Sequence, residues 1–260
     1  GLNINPDGVY VDLTFGGGGH SREILKHLSS KGELYAFDKD EDAKNNAIND
    51  ERFCLINDDY SNAKTNLRLY RKIQVNGILA DLGVSSHQID TIQRGFSFQT
   101  DAPLDLRMNN KQPIMAADIV NTYTKEQLKA LFKDYAELPN SGFLADRIYF
   151  HCSKTPIYTT KQLIDLISPL ALKGKENKFY AKVFQALRIE VNNELGNLEK
   201  MLAQCADLLL EGGRLVVISY HSLEDRRVKN IMKTGNLDGT LNKDFYGNIL
   251  SPFSMILRKA

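Results

Sequence analysis

The chain has 260 residues, 42% hydrophobic and 25% charged, with a formal net charge of +1, the balance of a globular protein with room for a sizeable core. No apolar run approaches the roughly 18 residues of a membrane span and no secretory leader pattern is evident, so a cytoplasmic protein with no membrane partner is expected. Cys54, Cys152 and Cys205 lack the paired spacing of a zinc site or a redox motif and are expected to be reduced, buried and inert.

The first predicted strand is Val9-Tyr10-Val11-Asp12-Leu13, and Thr14-Phe15 leads from it into Gly16 to Gly19, with a helical pattern directly behind. Glycines in that place remove the Cβ atoms that would keep a ligand off the backbone. They also permit positive φ and leave the amides of a helix start to meet the ligand. The spacing is not that of a dinucleotide fingerprint, because Ser21 stands where the third glycine would fall. Asp12, four residues ahead of the glycine turn, is instead similar to the acid of motif I in the S-adenosylmethionine-dependent methyltransferases. His20 reads as a residue of the helix start and the ligand loop. No second ligand lies four residues on, and no metal site is expected.

Gly32 to Asp38 reads as a second strand ending in a carboxylate. An acid there can accept both hydroxyls of a ribose. Alternatively, Asp38 or Asp40 caps a helix beginning near Glu41. A third strand near Phe53–Ile56, a helix from Ser61 to about Tyr70 and a fourth strand, Gly77–Asp81, follow. Apolar strands alternating with helices predict a parallel sheet covered on both faces, a doubly wound α/β architecture. Ligands of such sheets sit beyond the strands' carboxyl ends, where Gly16 to His20, Asp38, Tyr60 and Asp81 would gather.

Helical signals dominate between roughly Pro103 and Val191. Thr124 three residues before Gln127, and Thr159 three before Gln162, are capping-box arrangements, each followed by apolar residues at helical spacing. The expected organisation is a core of residues 1–102 and 192–260 with a helical insertion, 103–191, that recognises substrate. A helix from about Glu194 to Leu210 returns to the core, and Gly212-Gly213 turns it into the strand Leu215–Ser219. Thr234 to Ala260 has no clear period and reads as closing strands or disorder. Basic clusters stand at Arg68–Lys72, Lys173–Lys182 and Arg226–Lys229, each readable as a solvated helix face or a binding surface.

Several strings recur in one order: Pro6-Asp7-Gly8, Thr14-Phe15-Gly16 with Gly18-Gly19-His20-Ser21, Asp81-Leu82-Gly83-Val84-Ser85-Ser86, and Arg94-Gly95-Phe96-Ser97-Phe98. Pro103 to Met108, Phe184 to Ile189 and His221 to Arg226 complete the set. Together they closely resemble the RsmH (MraW) family, which methylates the exocyclic amine of one cytosine in small-subunit ribosomal RNA. The resemblance implies a class I, Rossmann-like S-adenosylmethionine-dependent methyltransferase core with a helical inserted domain. It implies as partner the small-subunit RNA, within an assembled or nearly assembled subunit, and it leaves a homodimer open. Carried over position by position, the S-adenosylmethionine contacts fall on Gly18, Gly19, His20, Asp38, Tyr60, Asp81 and Gln88.

The chain departs from the family in places. Tyr60 and Tyr220 stand where phenylalanine is usual, and Glu137 to Asn140 replaces a more charged stretch. The family's opening and closing segments are absent, so that if they complete the RNA groove, cofactor binding is expected to outlast methylation.

A cytosine amine is a poor nucleophile because its lone pair is delocalised into the ring, and an acceptor beside it favours attack. Asp81 occupies the place where many amino-methyltransferases carry Asp/Asn-Pro-Pro-aromatic, but here Leu82-Gly83-Val84 follows. Asp81 is the expected catalytic carboxylate, against the alternative of an acid satisfying loop amides. Phe96, Arg107, His221 and Ser222 are the candidate RNA contacts, as stacking face, phosphate cation and base-binding loop. Packing is the alternative for Phe96, as it is the favoured reading of Phe98, and helix capping is the alternative for Ser222. Rival functions are a dinucleotide-dependent oxidoreductase and a non-catalytic RNA-binding or ribosome-assembly factor that keeps the fold.

Overall fold

The computed structural model describes residues 1–256. They form two compact units, one of Gly1–Gly83 with the described residues from Leu195 onward, the other of Val84–Glu194. The first unit holds strands β1 (Val9–Asp12), β2 (Glu33–Phe37), β3 (Phe53–Ile56), β4 (Val75–Asp81) and β5 (Leu209–Ile218). Helices α1 (Gly19–His27) and α2 (Ala63–Leu69) belong to it. The second holds α3 (Ser86–Asp90), α4 (Ala116–Thr122), α5 (Lys125–Asp134), α6 (Ser141–Cys152), α7 (Thr160–Ile167) and α8 (Glu176–Asn192). Then α9 (Glu194–Leu208) and α10 (Ser222–Thr234) accompany the chain's return to the first unit.

All strand pairs are parallel, in the order β3-β2-β1-β4-β5. The chain steps outward from β1 through β2 to β3, then resumes on the other side of β1 with β4. The winding therefore reverses between β1 and β4, and a crevice opens beyond the carboxyl ends of those two strands. Alternate residues feed opposite faces of the sheet. Val11, Tyr35 and Ile78 pack with Leu67 of α2, Leu202 of α9 and Ile231 of α10. Tyr10, Leu34 and Leu79 pack with Ile24 and Leu25 of α1 and with Leu28 just beyond it. The doubly wound α/β architecture expected from the sequence is present.

Local details differ. The helix expected near Glu41 is a short 3-10 helix, Glu41–Asn46, and the helix after β3 opens with a 3-10 turn, Tyr60–Asn62. β5 starts at Leu209 rather than Leu215: Val75 pairs with Leu209 and Gly77 with Arg214, and the residues between bulge out. Gly212 has φ 77°, and a Cβ on Gly213 would lie 2.8 Å from the Leu210 carbonyl oxygen. The glycine pair thus serves a bulge within the strand, not the end of the preceding helix. Beyond α10, the described residues contain an isolated antiparallel bridge, Lys243 with Ile249, and no further strand of the sheet. Residues 257–260 of that segment lie outside the described residues.

The helical unit begins at Val84, not at residue 103, and ends at Glu194. Once β4 ends at Asp81 the chain leaves the sheet, and Phe96 and Phe98 pack against the helical cluster built on Leu128, Phe132, Leu144, Ile148, Val183 and Leu187. Both predicted capping boxes are formed, with Thr124 accepting from the Gln127 amide and Thr159 from the Gln162 amide. Among the described residues no helix is long and apolar enough to cross a membrane. The cysteines carry free thiols, but Cys54 and Cys152 are only half-buried. Burial pushes the Cys205 thiol up to about 12 and the Cys152 thiol up to about 11, which leaves little thiolate near neutrality.

The junction of β1 with α1 turns on one buried contact. Asp12, fully buried, accepts from Ser21 Oγ at 2.7 Å and from the Thr14 amide at 3.1 Å. Burial raises its pKa, although both hydrogen bonds act the other way. The folded state therefore holds the Asp12 proton more tightly than the unfolded chain does. Its contribution to stability is full below the unfolded carboxylate pKa and declines as pH rises above about 4.

Two outcomes are expected from urea denaturation. Phe132→Ala, which empties a fully buried ring site, costs about 3–5 kcal/mol, several times the ~1 kcal/mol of Thr124→Ala at its cap. Asp12→Asn, which does not titrate, gains stability relative to the parent chain as pH is raised from about 4 to about 7; an opposite trend would show that Asp12 is held as a stabilising carboxylate.

Candidate active site at the carboxyl ends of the strands

The loop from β1 to α1 is shaped by its glycines. Gly16 and Gly18 have φ 51° and 75°, and Gly18 is the N-cap of α1, where no side chain caps the helix. A Cβ on Gly18 would lie 2.7 Å from the Arg22 guanidinium and 2.8 Å from the Phe15 ring, whereas on Gly17 or Gly19 it would meet nothing within 4 Å. One side of the loop is thus closely packed and the other open. The packed side is tied down: Asn46 Nδ2 donates to the Gly16 carbonyl at 3.1 Å, and the Arg22 guanidinium to that of Gly17 at 2.5 Å. A bare backbone and an uncapped helix start on the open side suit a ligand with acceptor groups.

Asp38 stands just past β2. Its two carboxylate oxygens accept from the Gly16 amide at 2.7 Å and the Asp40 amide at 2.8 Å. The capping role falls to Asp40, which accepts from the Asp42 amide. Each Asp38 oxygen retains a lone pair beyond these bonds, enough for hydroxyl donors. Burial raises its pKa against the pull of those amides. Asn57 donates to the Asp38 carbonyl at 2.8 Å and holds the tips of β2 and β3 together.

Asp81 closes β4, one sheet position from β1. Its amide donates to Thr14 Oγ1 at 2.7 Å, which fastens the β4 tip to the glycine loop. One carboxylate oxygen lies 3.2 Å from His20 Nε2, and the other accepts from the Tyr220 hydroxyl at 2.9 Å. That bond to Asp81 raises the Tyr220 pKa and keeps the phenol protonated. The Asp81 side chain is 27% exposed. It is therefore reachable from solvent, yet held on both edges by flanking loops.

Gly18, Gly19, His20, Asp38 and Asp81 are thus brought to one edge of the sheet. Tyr60 is half-buried at the edge beyond β3 and packs on the cluster under that sheet face. Gln88 is 5% exposed and completes a capping box at α3, its side-chain oxygen accepting from the Ser85 amide at 3.1 Å. Phe96 is half-buried and packs against the helical cluster. Arg107 is held within its own segment. Its guanidinium makes two bonds to Asp105, at 2.7 and 2.8 Å, and donates to the Gln112 carbonyl at 2.6 Å.

His221 and Ser222 stand at the start of α10. His221, not Ser222, is the N-cap residue of α10, and Ser222 is the first helical residue. The imidazole is only 10% exposed and lies 3.2 Å from Glu224, but off the direction a hydrogen bond needs. It is turned inward rather than offered to a base. Glu224 reaches back to accept from the Tyr220 amide at 3.0 Å, which fixes the loop that carries the Tyr220 ring.

Tyr220, Thr14 and Ser21 hold this edge together, and the sequence reading gave none of them a place in the site. A signal existed for Tyr220: a phenol placed directly after an apolar strand whose carboxyl end is a ligand edge. None existed for Thr14, because its bond to the Asp81 amide spans 67 positions of sequence.

Residues 1–248 match the MraW methylase family. A protein of Christiangramia forsetii named ribosomal RNA small subunit methyltransferase H is 52% identical over 256 residues, 98% of this chain and 85% of the relative. Identically named proteins of Bacteroides thetaiotaomicron and Cytophaga hutchinsonii are each 52% identical, over 259 and 258 residues, covering 100% and 98% of this chain and 85% and 86% of the relatives. With a doubly wound sheet, a glycine loop at its crevice and relatives matched over nearly its whole length, the chain belongs to the MraW methylase family.

Proposed function

We propose that this chain transfers a methyl group from S-adenosylmethionine to the exocyclic amine, N4, of a cytosine in small-subunit ribosomal RNA, in the cytoplasm, on an assembled or nearly assembled subunit. The observation that carries the reading is Asp81: an accessible carboxylate at the β4 tip, braced by His20 and Tyr220 beside the open face of the glycine loop. The names of the relatives supply the RNA, and the family supplies the reaction class. Membership of a methylase family sets aside the oxidoreductase reading.

The residues present fit S-adenosylmethionine, which when bound supplies an electrophilic methyl group on a sulfonium. Gly18, Gly19 and His20 would offer backbone and helix-start amides to it, Asp38 would accept its ribose hydroxyls, and Tyr60 would give the adenine an aromatic face. Gln88 completes the set carried over from the family. Asp81 would accept a hydrogen bond from the cytosine amine, which concentrates the lone pair on nitrogen, face the positive charge that develops there as the methyl group leaves sulfur for nitrogen, and take up the proton that the amine then gives off. His20 and Tyr220 fix the orientation of the carboxylate, so little reorganisation is left for the reaction itself.

The test is nucleoside mass spectrometry of unmodified small subunits incubated with the chain and S-adenosylmethionine. N4-methylcytidine is expected, and methylation on a ring carbon would overturn the amine assignment. Cofactor binding without any transfer would favour the assembly-factor reading. Asp81→Asn should lower turnover about 100-fold with the melting temperature held within about 3 °C; full turnover in that variant would end the catalytic role of the carboxylate.

A further inference from the structure

The helical unit contains a cavity of about 240 Å³ formed by residues of α6, of the turn Ser168–Leu170 that follows α7, and of the start of α8. Its volume falls below the ~300 Å³ of the smallest drug-sized sites, so it suits a single ring system rather than a whole cofactor. Its lining is mainly apolar, with Phe143 and Phe179 as its aromatic members. Phe143 is 72% exposed, so its ring is open to a ligand from solvent.

Lys175, Lys178 and Lys182 complete the lining. They recur at intervals of three and four residues, which puts them on one face of α8 over roughly 10 Å of its length. Among the described residues none of them makes an ion pair. The one acid in residues 173–182, Glu176, is directed instead to the Gly174 amide at 2.9 Å. Lys175 is itself the N-cap of α8 and no side chain caps that helix, so the positive helix end adds to the same field. This is the Lys173–Lys182 cluster singled out in the sequence.

We infer that this groove seats an unpaired base of the RNA substrate, with the flanking phosphates on Lys175, Lys178 and Lys182. The chemistry matches: single-stranded RNA is held by bases stacking on aromatic faces while cations track the backbone. A polypeptide anchored by an apolar side chain would fill the cavity but leave three lysine charges unanswered unless it were acidic. The inference rests on the proposed RNA substrate. It moves the phosphate-binding role from Arg107, whose charge Asp105 neutralises, to a row of lysines without such partners.

The test measures binding of the full chain to a labelled single-stranded oligoribonucleotide of about 12 nucleotides by fluorescence anisotropy across a salt series. The triple variant Lys175→Gln, Lys178→Gln, Lys182→Gln should weaken binding and reduce the salt slope by about 2, from ~0.7 per phosphate contact. Phe143→Ala, at an exposed position, should weaken binding about tenfold with the slope unchanged. Parental affinity and slope in both variants would overturn the inference. So would an acidic amphipathic peptide whose binding, unlike that of RNA, is lost in these variants. If the parent chain fails to methylate small subunits while its RNA binding still depends on these residues, the proposed function falls and the groove stands. If methylation succeeds and the variants bind RNA as the parent does, the groove alone falls.

Discussion

The buried carboxylate of Asp12 is the constraint from which the site follows. A carboxyl group with no exposure must have its acceptors met, and the nearest donors are the Thr14 amide and the Ser21 hydroxyl. Pinning the start of α1 to the end of β1 forces the six intervening residues after Thr14 to double back. Only glycine takes the positive φ that this path needs at two positions without strain. The bend turns a bare backbone and an uncapped helix start outward. Thr14, held at the base of the same loop, accepts from the Asp81 amide and so fixes the height of the neighbouring strand tip. One desolvated acid thereby sets both the ligand loop and the position of the carboxylate beside it.

Asp38 and Asp81, at the ends of the two strands that flank β1, sit in different environments. Asp38 is largely enclosed, receives two loop amides, and has its pKa raised by burial. Asp81 is open to solvent and braced by side chains rather than amides. The first arrangement suits holding neutral hydroxyls; the second suits meeting a group whose charge changes during a reaction. The contrast between them comes from environment alone.

In the helical unit, several motif residues are scaffold. Arg94 is buried and donates to the carbonyls of Arg107 and Met108 at 2.9 and 2.7 Å. Asn192 accepts from the Met108 amide at 2.7 Å and donates to the Leu106 carbonyl at 2.8 Å. Leu106, at φ 63° and fully buried, is kept in an otherwise costly conformation by that stitching. Strings of residues such as Arg94–Phe98 and Pro103–Met108 thus record how an irregular segment is held on a helical core.

The sequence by itself determined the parallel sheet, its flanking helices, the glycine loop, the strand-end acids and both threonine capping boxes. Each of these rests on local spacing: alternation within a strand, helical periodicity, or a side chain three residues from its partner. Ser85 and Gln88 form a third box with the same legible spacing, passed over because Gln88 was read through its resemblance. Tertiary structure alone decided the partners of Thr14, His20 and Tyr220, the neutralisation of Arg107, the inward turn of His221, and the boundary of the helical unit at Val84. It also decided that the Gly212–Gly213 pair lies within a strand. These depend on contacts between residues far apart in the chain, or on which of several nearby donors wins a given acceptor, and no pattern along one segment carries that information.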